Sequence, residues 1–164
     1  MNRFFASGLL LLSASTVLAQ EAQSRPEVNA STVVFVCEHG SARSVIAAAH
    51  FNRLASEKGL PFRAVSRGKN PDEAIAASIK DALAADGLDV SAWKPKALTD
   101  ADMQKAGRVV TLAVELPAAK AAAQDRLLEW KDVPSMSQSY DAVRKVIVQH
   151  VTELVEKLAA AKPR

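Results

Sequence analysis

The chain alternates short, unbroken apolar runs with longer stretches whose apolar residues recur every three or four positions. "TVVFVC" (residues 32–37) is a continuous β-branched run of strand length, and "RVVTLAV" (108–114) repeats it. "FRAVS" (62–66), after Pro61, and "RLLEW" (126–130) read as two shorter strands. Between them, "SVIAAAHFNRLASEKG" (44–59) sets Ala47, Phe51 and Leu54 on one helical face and stops at Gly59. "PDEAIAASIKDALAADG" (71–87) opens on proline and acids, repeats Ile75, Ile79 and Leu83, and closes on Gly87. "TDADMQKAG" (99–107) reads as a short capped helix and "PAAKAAAQD" (117–125) as a helical turn or two. After a loop over 131–139, Tyr140, Val143, Ile147, Val151, Leu154 and Leu158 mark the stripe of a last helix. Apolar strands separated by helices predict a single α/β domain of three layers, a four-stranded parallel sheet with helices on both faces.

Ahead of this pattern, "MNRFFASGLLLLSASTVLAQ" has Arg3, an apolar stretch through Leu12, and small residues leading to Ala19. That is the layout of a secretory signal with cleavage after Ala19. Its apolar core is shorter than the about 20 residues a spanning helix needs. Residues 20–30 form a polar leader, and the domain is expected over 31–164. The protein is thus expected to be exported, periplasmic or secreted, with no stable membrane insertion after cleavage. The 21 basic residues are dispersed among 18 acids without aromatic interleaving, which disfavours nucleic acid as a partner. One cysteine excludes an internal disulfide, so Cys37 is either a buried inert thiol or kept for chemistry.

In a parallel sheet, ligands bind beyond the carboxyl ends of the strands. The first strand ends at Cys37 and the next helix begins near Ser44, so Glu38, His39, Gly40, Ser41, Ala42 and Arg43 form a loop at that mouth. Backbone N–H groups in such a loop make a nest for an oxyanion, and their field favours a thiolate. Arg43 adds a planar fork of donors for two oxygens of a tetrahedral anion. Ser44 can cap the helix and hydrogen-bond the sulfur. A Cys-x5-Arg-Ser sequence at a strand–loop–helix junction is a cysteine phosphatase pattern, and the expected partner is a phosphorylated substrate or another oxyanion. Cys37, Glu38 and His39 stand too close together to make a metal site alone, so no metal or other cofactor is expected. His39 faces solvent or lines the mouth, His50 reads as a satisfied core histidine, and His150 as packing. Lys94 and Lys96 read as solvated lysines.

"VVFVCEHGSARSVIAAAHFNRLA", "AVSRG", "DGLDVSAWKPKALT" and "RVVTLAV" together resemble the low-molecular-weight protein tyrosine phosphatases and the thioredoxin-coupled arsenate reductases that share their fold. The resemblance covers nearly all of residues 31–160. It implies Cys37 as nucleophile, Arg43 as oxyanion ligand and Ser44 as thiolate stabiliser. Three departures stand out. Gly40 occupies a position where asparagine is common. Ala42 replaces a resolving cysteine and no second cysteine exists, which excludes an intramolecular disulfide relay. The Asp-Pro pair that supplies the general acid reads "KDVPS" here, with Val133 between Asp132 and Pro134, and makes Asp132 the candidate acid. The implied function is phosphomonoester hydrolysis through a phosphocysteine. Alternatives are arsenate reduction with an external thiol such as glutathione, or a non-catalytic oxyanion-binding module.

Overall fold

Alternate residues of the first strand, β1 (Thr32–Cys37), enter different cores. Val33, Phe35 and Cys37 face one, and Val34 and Val36 face the other. A strand apolar on both sides needs cover on both sides, which is why the run "TVVFVC" is unbroken. The structure is a computed structural model and describes residues 28–161. The secretory signal read in residues 1–19, and residues 20–27 of the polar leader, lie outside the described residues.

Four strands, β1, β2 (Arg63–Gly68), β3 (Arg108–Leu112) and β4 (Leu127–Trp130), form one parallel sheet in the order β2-β1-β3-β4. Helices α1 (Arg43–Glu57), α2 (Ala77–Ala85) and α5 (Tyr140–Ala160) fill the core around Phe35, Phe51, Leu83 and Ile147. Helices α3 (Asp100–Lys105) and α4 (Pro117–Ala122) cover the other face around Val34, Val36 and Val109. The expected three-layer α/β fold is therefore present. Among the described residues, no helix is long and apolar enough to cross a membrane.

The elements depart from the sequence pattern in four informative places. Helix α2 begins at Ala77, not at 71, because the segment before it is spent on the Cys37 loop. Lys69 N–H donates to Cys37 O at 3.0 Å, Asn70 N–H to Glu38 O at 2.8 Å, and Asp72 N–H to His39 O at 3.0 Å. Ile75 is buried there without being helical. Helix α1 starts at Arg43 with Ala42 as its uncapped N-cap, so Ser44 lies inside the first turn and does not cap it. Strand β3 stops at Leu112 because Ala113 turns to φ 46°, handing its N–H to Trp130 O at 2.9 Å. Finally, Val28 is buried in the second core and the Asn29 side chain holds Ser31 and Thr32, so packing begins three residues ahead of the boundary at 31.

Candidate active site

β1 carries Cys37 to the carboxyl end of the sheet, in register with Gly68 at the end of β2. The chain then curls back through residues 38–42 before α1 begins. Cys37 Sγ is buried, and one group of the loop and one of α1 converge on it. Ser44 Oγ lies at 3.2 Å and the Gly40 N–H donates at 3.3 Å. A sulfur that meets the Gly40 N–H and the Ser44 hydroxyl at the foot of a helix is placed to act as a nucleophile. Arg43, the first residue of α1, is half-buried and makes no hydrogen bond or ion pair with the described residues, which leaves its donor fork for a ligand.

The sharp turn at Gly40 has φ 63°. A Cβ built there would lie 2.6 Å from Gly68 N and 2.9 Å from its Cα. A Cβ at Gly68 would in turn sit 2.8 Å from His39 C. The loop and β2 thus touch backbone to backbone, through two residues that must lack side chains. This contact gives the departure at Gly40 a physical reason.

Residues 69–72 brace the loop from outside. Asn70 Nδ2 donates to Glu38 Oε1 at 2.6 Å, and Ser41 Oγ donates to Asp72 Oδ2 at 2.5 Å. Asp72 Oδ1 also stands 3.4 Å from His39 Nδ1, and both of those side chains are exposed. Gly68, Asn70 and Asp72 belong to the site's support although sequence reasoning passed over them. The one available signal was "SRGKNPD", a turn-rich polar run of which the helical reading takes only Pro71 and Asp72.

Asp132 lies elsewhere in the network. Its exposed carboxylate accepts from His150 Nε2 on α5, at 2.9 and 3.0 Å to its two oxygens. That hydrogen bond holds the Asp132 pKa below the usual carboxylate range. The imidazole is itself stacked on Trp130, with centroids 4.9 Å apart and planes 16° apart. Trp130 is buried against Phe35 at 5.5 Å, so it is a core aromatic. Cys37 and Ser44 are thus brought together at the start of α1, where Arg43 also stands, whereas the hydrogen bonds of Asp132 lead to α5. His150 packs as expected, and its partnership with Asp132 is new. His50 is buried, but its Nε2 makes no hydrogen bond, which corrects its reading as a satisfied histidine. No group of three or more His, Cys, Asp or Glu among the described residues could hold a metal ion.

A family profile described as low molecular weight phosphotyrosine protein phosphatase matches residues 32–164. Among solved structures, YfkJ from Bacillus subtilis superposes with a TM-score of 0.71 at 19% identity, covering 85% of this chain and 99% of that one. A low molecular weight protein tyrosine phosphatase from T. tengcongensis gives 0.66 at 22% identity, over 80% of this chain and 99% of that one. An arsenate reductase in its phosphate-binding state gives 0.65 at 22%, over 77% and 98%. A search of curated protein sequences found no match.

Proposed function

The chain belongs to the low molecular weight phosphotyrosine protein phosphatase family, and on that premise we propose that it is a cysteine-dependent hydrolase of phosphomonoesters. Cys37 Sγ attacks phosphorus, the ester P–O bond breaks, and the leaving oxygen departs with its electron pair and takes a proton. Arg43 and the loop N–H groups hold the equatorial oxygens, and water then cleaves the phosphocysteine to release inorganic phosphate. The observation that carries this reading is the pair of hydrogen-bond partners on Cys37 Sγ, Ser44 Oγ and Gly40 N–H, at the end of a strand whose next helix opens on Arg43. For the proton we propose Asp132, whose carboxylate accepts a hydrogen bond from His150 in the resting protein and must take up a proton before it can donate one. Because that bond favours the carboxylate, removing it should raise the Asp132 pKa. If Asp132 is the acid, His150→Ala should shift the limb of the pH–rate profile that reports the acid to higher pH. Asp132→Asn should slow alkyl phosphates by about 10²–10⁴-fold and spare aryl phosphates with good leaving groups. Equal losses on both substrates, with an unmoved limb, would remove Asp132 from the chemistry.

The likeness to an arsenate reductase supports a second reading, in which Cys37 attacks arsenate and an external thiol such as glutathione resolves the adduct. The lone cysteine requires that thiol to come from outside. Hydrolysis of para-nitrophenyl phosphate without added thiol supports the phosphatase. Consumption of glutathione only in the presence of arsenate supports the reductase. A protein that does neither but binds phosphate is an oxyanion-binding module. We also infer export from the residue pattern of positions 1–19, and an intact Met1 on protein recovered from the producing cells would oppose it.

A further inference from the structure

A cavity of about 510 Å³ lies along the outer edge of β2, between that strand and residues 92–96. It falls within the size range of small-ligand sites, about 300–1,000 Å³. An edge strand ordinarily offers its backbone to another strand, yet this edge is already occupied. The Asn52 side chain takes Ala64 N–H at 2.6 Å and donates to Ala64 O at 3.1 Å. At the other end, Gly68 N–H donates to Lys96 O at 2.8 Å and Leu98 N–H to Gly68 O at 2.9 Å. Arg67 Nη1 donates to Ser66 O at 2.9 Å. The space suits a compact ligand rather than an added strand.

The lining defines that ligand's chemistry. Ala64, Val65, Ala92 and Trp93 supply apolar wall, and among the described residues no acidic one lines the cavity. Ser66, only 8% exposed, opens onto it with a hydroxyl that makes no hydrogen bond to the described residues. Lys94 and Lys96 stand exposed on the lining without an ion pair among the described residues. Arg63 and Arg67 also line the cavity, and Asp102 neutralises Arg67 at 2.8 Å. Crowded like charges around an apolar wall favour a ligand that brings one negative charge and a flat apolar body.

We propose that this edge cavity is a binding site for a small aromatic carboxylate, separate from the Cys37 loop. Its carboxylate meets Ser66, Lys94 and Lys96, and its ring lies against Trp93. The site goes beyond the phosphatase reading and does not depend on it. Titration of the full chain with 2-naphthoate, followed by NMR, tests it. Saturable shifts of the Trp93 indole N–H and Ser66 amide signals are expected. The neutral isostere 2-naphthamide and inorganic phosphate should each act on these signals about 10-fold more weakly, which is the worth of one charge-assisted hydrogen bond. Phosphate should instead move the amides of Gly40 and Ser41. The exposed pair Lys94→Gln and Lys96→Gln should weaken 2-naphthoate about 10-fold while leaving the phosphate response of the loop unchanged. Unmoved Trp93 and Ser66 signals, equal binding of the amide, or undiminished binding by the double variant would each overturn the proposal.

Discussion

At Gly40 the site turns on the absence of a single carbon. Its φ of 63° is one that asparagine tolerates, but any Cβ there would meet Gly68 N at 2.6 Å. Gly40→Asn, which moves the loop toward the more common family sequence, is therefore expected to harm this protein. A loss of about 2 kcal/mol or more, a Tm drop of about 4–8 °C, and slower turnover should appear together. A variant with unchanged Tm and full activity on para-nitrophenyl phosphate would show that the loop and β2 can separate freely. Cys37→Ser should end turnover while leaving phosphate binding near its original strength, since the loop amides and Arg43 remain. Arg43→Lys keeps the charge and loses the fork, so phosphate inhibition should weaken along with turnover. Equal inhibition constants for wild type and Arg43→Lys would take Arg43 out of the anion site.

Among the helices, a polar knot at Asp86 joins three that sequence places far apart. Asp86 follows the end of α2, and its Oδ2 accepts from Tyr140 OH at 3.0 Å and Arg144 Nε at 2.6 Å on α5. Its backbone oxygen accepts from Arg53 Nη1 on α1 at 3.0 Å. Because α1 starts at Arg43 and α5 begins directly after the Asp132 loop, the knot holds both against one anchor. Asp86→Ala strands Tyr140 and the Arg144 guanidinium and should cost about 2–3 kcal/mol. Urea unfolding should show the midpoint moving with little change in slope. Arg144→Ala in the Asp86→Ala background should then cost clearly less than it does alone; full additivity would argue against the knot.

Across the whole molecule, the same knot makes stability depend on pH through His50. The imidazole is buried beside Arg53, whose Nη2 lies 3.2 Å from its Nδ1, and Nε2 stands 3.7 Å from Asp86 Oδ2. Burial first, then the charges of Arg53 and Arg144 against the opposing pull of Asp86, lower its pKa from 6.5 to about 4. The folded protein therefore holds His50 neutral where the unfolded chain protonates it. Stability from this group is full above pH 6.5 and is lost as pH falls towards 4, by up to about 3 kcal/mol. Unfolding free energies between pH 7 and 4 should decline accordingly, and His50→Asn should flatten that part of the curve. An unchanged slope in the variant would assign the acid sensitivity to other groups.

Much of this protein was legible in its sequence. Unbroken apolar strands require cover on both faces, and helical periodicity supplies it, so the parallel three-layer fold followed from local pattern alone. The Cys37 loop was legible because Cys37, Arg43 and Ser44 are near neighbours whose spacing reflects one turn at one strand end. What the tertiary structure decided lies between residues distant in the chain. Residues 71–76 have helical composition, yet Lys69, Asn70 and Asp72 give their N–H groups to the loop, and a local propensity worth tenths of a kcal/mol yields to that backbone pairing. Asp132 was read in its loop but its partner His150 stands 18 residues away, and Asp86 meets Arg144 across 58. Such contacts depend on how layers stack, so periodicity carries no trace of them. The touch of Gly40 on Gly68 is of the same kind. The chain shows two glycines, and only the packed backbone shows why neither can carry a side chain.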